Sequence, residues 1–222
     1  MSKELATLDA YSIWEYTSLP PGQKLVSNKW VYKVKLKADG NLERFKVRLI
    51  AKGFTQREGI DYNDTFSPVV KMTTVKCILV VAAYKKWPLF QLDVNNAFLH
   101  GDLLKEVYMK PAEWVDVPTG TVCRLRKSIY DLKQASRQWF AKLNDILLKQ
   151  GFSQSKNDYS LYVKQSSKGI VNAVVYVDDI LLTGFDLEGI THIKDHLHIQ
   201  FSIKDLEELH FFLDFEIGRS QR

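Results

Sequence analysis

Two short runs of alternating residues set the frame for this chain. In Lys29-Trp30-Val31-Tyr32-Lys33-Val34-Lys35-Leu36-Lys37 the lysines fall on one parity, and Trp30, Tyr32, Val34 and Leu36 on the other. Period two means a strand with a basic face and an apolar face. Asp39-Gly40 follows, a dipeptide that closes hairpins, and then Arg44, Lys46 and Arg48 alternate with Phe45, Val47 and Leu49. The predicted unit is a two-stranded ribbon over 29–50 with one face covered in cations, a form suited to phosphate. Ten basic residues stand against two acids between Lys24 and Arg57, while Asp178 to Arg222 carries ten acids against four basic residues. The chain total of +5 hides this polarity. A charge run is more often a solvated face, but its one-sided placement on a ribbon points to a nucleic-acid or nucleoside triphosphate partner.

Hydrophobic residues make up 45% of the 222 and charged residues 26%, which excludes a disordered chain, collagen and a coiled-coil rod. No apolar run approaches the roughly 20 residues of a membrane span. The opening MSKELATLDAY lacks the apolar stretch of a secretory signal. The expected setting is therefore intracellular, cytoplasmic or nuclear, with no membrane partner. Cys77 and Cys123 lie far apart with no C-x-x-C, so two buried reduced thiols are expected rather than a disulfide or a zinc knuckle.

Residues 1–23, ending in Leu19-Pro20-Pro21-Gly22, read as a lead-in with few regular signals. Residues 53–68 read as a long loop. Helices are expected over 73–86, capped by Thr73 or Thr74, and over 136–150, stopped by Gly151. Two more are expected over 190–199 and 206–212, the last opened by Asp205-Leu206-Glu207-Glu208 at its positive end. Trp139 and Phe140 belong to the core by their spacing with Leu143 and Leu147. His192 and His196 stand at i, i+4 but lack a third ligand, so a solvated helix face is expected.

The strongest chemical signal is the position of three acids. Asp93 interrupts the strand-like Phe90-Gln91-Leu92-Asp93-Val94, and Asp178-Asp179 interrupts an apolar run over 170–183 that reads as two strands joined at that pair. A carboxylate in such company costs several kcal/mol if it is buried without a partner. A hairpin turn explains the pair alone; a divalent cation explains why two like charges are tolerated together. Acids from separate strand ends could hold two magnesium ions about 4 Å apart, a nucleotidyl-transfer arrangement.

Six segments in order, covering nearly the whole chain, resemble the reverse transcriptase (RNA-directed DNA polymerase) of copia-type LTR retrotransposon polyproteins. They are Lys29-Trp30-Val31-Tyr32-Lys33, Arg48 to Gln56 (RLIAKGFTQ), Gly59-Ile60-Asp61-Tyr62, Thr65 to Lys71 (TFSPVVK), Gln91 to Leu103 (QLDVNNAFLHGDL) and Tyr176 to Leu181 (YVDDIL). The resemblance implies an α+β right-hand polymerase. Its fingers hairpin would lie at 29–50 and its palm, an antiparallel sheet backed by helices, at about 88–110 and 170–222. Fingers and palm together would fill 24–222, with the thumb missing or incomplete in a truncated chain.

By the same resemblance, Asp93, Asp178 and Asp179 are the catalytic and metal-binding acids, for two Mg2+ ions with Mn2+ as an alternative. Lys46, Arg48 and Lys52 reach the incoming triphosphate, with Arg48 competing with its neighbours for the register. Asn96 and Ala97 offer backbone N–H groups, Phe98 is the steric gate against a 2′-hydroxyl, and Tyr130 belongs to the dNTP site. Tyr176 lies under the primer terminus, and Leu213 and Asp214 belong to the primer grip. RNA template, DNA primer and dNTPs are the implied partners.

The chain departs from the family pattern at three places. Asp131 replaces a Gly and Ser136 a Pro in the family's Y-G-L-K-Q-A-P-R block, and Asp214 replaces the Gly of F-L-G. Asp131 would add bulk and charge beside a triphosphate where glycine permits close approach. Each change is of the kind a single transition produces. The alternative function is thus a catalytically dead nucleic-acid-binding remnant of a transposable element.

Overall fold

The basic ribbon forms with the register its alternation dictates. In the computed structural model, which describes residues 1–37, 39–213 and 215–218, Lys33 lies opposite Lys46, Val34 opposite Phe45 and Lys35 opposite Arg44. Directly opposed residues share a face, so the cations gather on one side and the apolar side chains on the other.

In chain order the elements are α1 (Ser2–Ala10), β1 (Trp14–Ser18), β2 (Leu25–Val26), β3 (Asn28–Leu36), β4 (Leu42–Ala51), α2 (Met72–Lys85) and β5 (Leu89–Asp93). There follow β6 (Asp102–Met109), β7 (Thr121–Lys127), α3 (Ala135–Lys149), β8 (Ser153–Gln154), β9 (Leu161–Ser166), β10 (Gly169–Tyr176) and β11 (Asp179–Gly184). The last are α4 (Leu187–Phe201), β12 (Lys204–Glu208), β13 (Phe211–Phe212) and β14 (Phe215–Glu216). The fold is α+β. Among the described residues no helix is long and apolar enough to cross a membrane. The chain divides into two compact units, each built from two separated stretches: Met1–Phe66 with Phe98–Lys142, and Ser67–Ala97 with Leu143 onward.

In the first unit, β1, β7, β6 and β2 form a four-stranded sheet in that order, and β3 and β4 pair as the ribbon. Residues 1–23 are not a loose lead-in. Leu8 of α1 and Ile13 are fully buried with Leu49, Ala51, Met109, Cys123 and Ile129, and β1 pairs along its length with β7. Two leucines in a nine-residue helix are too weak a pattern to read from sequence. The ribbon is buried at its base, at Leu49, while Tyr32, Val34, Leu36 and Phe45 of its apolar face stay exposed.

In the second unit the sheet order is β12-β5-β11-β10-β9-β8, antiparallel throughout. Val75 and Ala82 of α2 pack with Leu89, Val174 and Leu181 of this sheet. The helix α4 packs against β11 and buries Ile190, Ile193, Leu197 and Phe201 of its own. The helix expected over 206–212 is absent. Lys204 to Glu208 instead pairs with β5, and Phe211–Phe212 opens a short hairpin with β14. Beside buried Leu89 and Leu92, pairing the second edge of β5 outweighs the helical preference of a seven-residue segment, so the helix-dipole reading of Asp205-Glu208 falls with it.

Smaller corrections follow from tertiary contacts. Helix α2 begins at Met72 behind Lys71, without a side-chain cap; the Thr74 hydroxyl instead donates to Asp158 Oδ2 at 2.6 Å. Cys77 is exposed, not buried, whereas burial pushes the Cys123 thiol up to about 12. His196 lies 3.2 Å from the Gln150 amide and His198 Nδ1 3.0 Å from the Ile203 carbonyl, so both histidines are hydrogen-bonded within the unit.

Candidate active site

The acids are assembled by strand register in the second unit. Asp93 ends β5 directly opposite Asp179, the first residue of β11. Tyr176 ends β10 on the other side of Asp179, and Lys204 of β12 flanks Asp93. Tyr176, Asp179, Asp93 and Lys204 therefore form one row across four strands and share one face of the sheet. Asp178 belongs to the turn between β10 and β11, and its carbonyl accepts the Val94 N–H at 2.9 Å, which ties the turn to the end of β5.

That turn is shifted by one residue from the sequence reading. The strands are joined through Val177-Asp178, not through Asp178-Asp179, because Tyr176 pairs with Asp179. Val177 has φ +54 and Asp178 is not among the positive-φ residues, the pattern of a two-residue hairpin turn that favours glycine at its first central position. A β-branched residue in the left-handed region is an outlier that surrounding structure must hold in place. Here the Asp178 carbonyl and the flanking ladder do so.

Burial pushes the Asp179 carboxyl above its ordinary 3.8, a hydrogen bond from the Gln91 amide (2.9 Å) opposes this, and the charges of Asp178 and Asp93 push it further up. Hard carboxylate oxygens under mutual repulsion suit a magnesium ion. Among the described residues no three His, Cys, Asp or Glu side chains form a ready-made metal cage.

A pH test follows. A raised folded-state value means that protonation favours the fold: the contribution is full below the unfolded value and lost as pH rises through the raised one. Asp179→Asn is therefore expected to be more stable than the parent at pH 7, the difference shrinking as pH falls toward 4. Urea midpoints that differ by the same amount at both pH values would refute this.

Asn95 donates to the Ser202 carbonyl at 2.9 Å. Asn96 carries φ +53, a conformation asparagine tolerates, and Ala97 is buried at the start of a 3-10 turn. Leu213 has φ +56 after β13; Asp214 lies outside the described residues.

The remaining expected residues lie in the first unit. Lys46 and Arg48 share the basic face of the ribbon. The Arg48 guanidinium sits 4.4 Å from the centre of the Tyr130 ring, and Tyr130 meets Phe98 edge to face at 5.9 Å. Arg48, Tyr130 and Phe98 thus form one stack. The backbone holds it together, because the Ala51 N–H donates to the Tyr130 carbonyl at 2.9 Å. Lys52 lines a cavity with Trp30 and Trp114, and neither Lys46 nor Arg48 is part of that lining.

Asp131 has φ +69, which gives a conformational reason for glycine there beside the steric one. Asp131→Gly is expected to stabilise the chain by about 1 kcal/mol by relieving left-handed strain. An unchanged or lower urea midpoint would overturn that. Ser136 is the second residue of α3, within the first turn where proline is tolerated.

Three residues escaped the sequence. Gln91 was visible only as a polar residue in a strand, Lys204 sits in a segment read as preceding a helix, and Glu4 lies in the supposed lead-in. Burial raises the Glu4 carboxyl, while the Leu49 N–H and the charges of Arg48 and Lys46 oppose the rise. Glu4 is thus a countercharge to the cations expected at the triphosphate.

The comparisons with known proteins agree on one family. Residues 11–221 match the model described as reverse transcriptase (RNA-dependent DNA polymerase). The retrovirus-related Pol polyprotein from transposon RE2 of Arabidopsis thaliana is 49% identical over 202 residues, 90% of this chain and 14% of that polyprotein. The corresponding polyprotein from transposon RE1 of the same plant is 46% identical over 222 residues, 99% of this chain and 15% of its own length. That from transposon TNT 1-94 of Nicotiana tabacum is 39% identical over 224 residues, 100% and 17% respectively. The chain spans about a sixth of the length of these relatives.

Proposed function

Because the chain belongs to the reverse transcriptase (RNA-dependent DNA polymerase) family of copia-type retrotransposon polyproteins, we propose that it performs template-directed transfer of dNTPs to a primer 3′-hydroxyl. The observation that carries the reading is the pairing of Asp93 with Asp179 across β5 and β11, with Asp178 fastened beside them. In this reading the second unit is the palm and the ribbon of the first unit belongs to the fingers. Asp93 and Asp178 would hold two Mg2+ ions, or Mn2+ in their place, with Asp179 alongside. When bound, those ions supply activation of the attacking oxygen and neutralisation of the leaving pyrophosphate.

The rest of the work falls to side chains and backbone. Lys46 and Arg48 bind the triphosphate, and the Tyr130 ring fixes the plane of the Arg48 guanidinium. Phe98, braced by Tyr130, crowds a 2′-hydroxyl and selects dNTPs by shape. Asn96 and Ala97 present backbone N–H groups, Tyr176 supports the primer end, and Leu213 and Asp214 form its grip. RNA template and DNA primer are the proposed partners, inside the cell.

The test is metal-dependent incorporation of dTTP on poly(rA) primed with oligo(dT). Incorporation that does not require a divalent metal would sink the reading. A second reading, a catalytically dead nucleic-acid-binding remnant, is favoured by the carboxylate of Asp131 on a left-handed backbone position. Salt-sensitive RNA binding without incorporation in the parent, and none gained on Asp131→Gly, would favour it.

A further inference from the structure

We propose that the outer face of α2 is a docking site for an amphipathic helix of a partner protein, one whose apolar stripe is bordered by acids. The inference goes beyond the polymerase reading and uses none of its site residues.

This helix carries two apolar stripes of the same spacing. Val75, Ile78, Leu79 and Ala82 stand at i, i+3, i+4 and i+7; Val75 and Ala82 are buried in the second unit, with Ile78 and Leu79 packed beside them. Cys77, Val80, Val81 and Tyr84 repeat the spacing two residues on, which puts them on the opposite face. The second stripe is bare. Val80 is 67% exposed, Val81 41% and Tyr84 81%, and the Cys77 thiol is exposed with them.

A surface helix ordinarily turns a polar face outward, and a helix that is apolar all round belongs where both faces are covered. Propensity does not explain the choice either. Two adjacent β-branched residues and an aromatic form helix less readily than the straight-chain polar residues that serve in water. Contact with a second surface gives all four residues a use, as contiguous exposed apolar patches generally indicate.

Charge around the stripe selects the occupant. Between Asp64 and Asp93 the chain carries four lysines and no acid. Helical geometry puts Lys76 on one side of the stripe and Lys85 on the other, and both residues are exposed. Among the described residues neither pairs with a carboxylate. A second copy of the chain would set lysine against lysine across the contact, which costs affinity, whereas an acidic border complements both. The stripe is narrow, spans two turns and offers no backbone edge to a strand. Its fitting partner is therefore another helix, seated seam to seam.

The experiment is fluorescence anisotropy of two labelled synthetic peptides with the full chain. Both are three-heptad helices with leucine at the a and d positions, one with glutamate at e and g and the other with lysine there. The parent is expected to bind the glutamate peptide about tenfold more tightly than the lysine peptide. Val80→Ser combined with Tyr84→Ser should weaken the glutamate peptide about tenfold, and Lys76→Glu combined with Lys85→Glu should reverse the preference. Alkylation by iodoacetamide reports the place of binding. Cys123 is buried and burial pushes its thiol up to about 12, so Cys77 is the thiol that reacts, and saturating glutamate peptide should slow it about tenfold. Far-UV circular dichroism confirms that the variants fold, as substitutions on an exposed face should allow.

A parent that binds neither peptide, or both equally, overturns the inference, as does binding that leaves Cys77 alkylation unchanged. Parent dimers dissolved by Val80→Ser with Tyr84→Ser, in place of peptide binding, would make the stripe a self-contact and overturn it too. Binding to phosphatidylserine vesicles abolished by the same pair, again in place of peptide binding, would do likewise by making it a membrane contact. None of these outcomes touches metal-dependent dTTP incorporation, so the polymerase reading stands or falls separately.

Discussion

Asp178→Asn is expected to lower metal-dependent dTTP incorporation by about a thousandfold, the several kcal/mol that a divalent ion contributes to charge stabilisation. The fold should survive. Asp178 is attached to its neighbours through its backbone, since its carbonyl accepts the Val94 N–H, and asparagine retains that carbonyl. The substitution removes charge without removing the tether, so loss of activity with an unchanged melting temperature separates chemistry from stability. Asp93→Asn should act alike. If the Asp178→Asn protein incorporates nucleotide within tenfold of the parent, the assignment of the acids to metal is wrong. Salt-sensitive RNA binding should persist in the variant, because its cations lie on other residues.

Gly53→Ala is expected to destabilise the chain by about 3 kcal/mol through overpacking. A Cβ at this position would lie 1.9 Å from the Asp131 carbonyl oxygen and 3.0 Å from its carbon. Both are backbone atoms, so no rotamer change relieves the clash, and the segment after Tyr130 would have to lift from the end of β4. That movement strains the bond from the Ala51 N–H to the Tyr130 carbonyl and disturbs the stack of Arg48, Tyr130 and Phe98. Asp131→Gly should not rescue Gly53→Ala, because the carbonyl remains. Full rescue, or a urea midpoint equal to that of the parent, would show that the loop gives way easily.

The parts of this structure that were legible were those encoded locally. The ribbon announced itself because alternation in both arms and the Asp39-Gly40 turn point to the same register, and residue 33 does face residue 46. The acids stood out because each interrupts an apolar run of the sequence. What was illegible depended on distant partners. Leu8 and Ile13 are buried only because the rest of the first unit covers them, and 204–208 became a strand because β5 offers it an edge. Gln91 and Lys204 gained meaning from neighbours across strands, and Glu4 from a ribbon strand far away in sequence. The single-residue shift of the Val177-Asp178 turn went unseen because valine is not a residue whose presence suggests a left-handed turn. The division into units was hidden too, since no linker marks the crossings at 66/67, 97/98 and 142/143.

Those crossings bear on how the chain is made. The row of acids needs β5 and β11, whose facing residues Asp93 and Asp179 are 86 positions apart. At about 5–20 residues per second, the ribosome delivers β11 roughly 4–17 s after β5. Through that interval Leu89, Leu92 and Val94 wait without the strand that buries them. Neither unit can be completed from the amino-terminal half of the chain, so a nascent fragment halted midway offers chaperones two unfinished sheets rather than one finished domain.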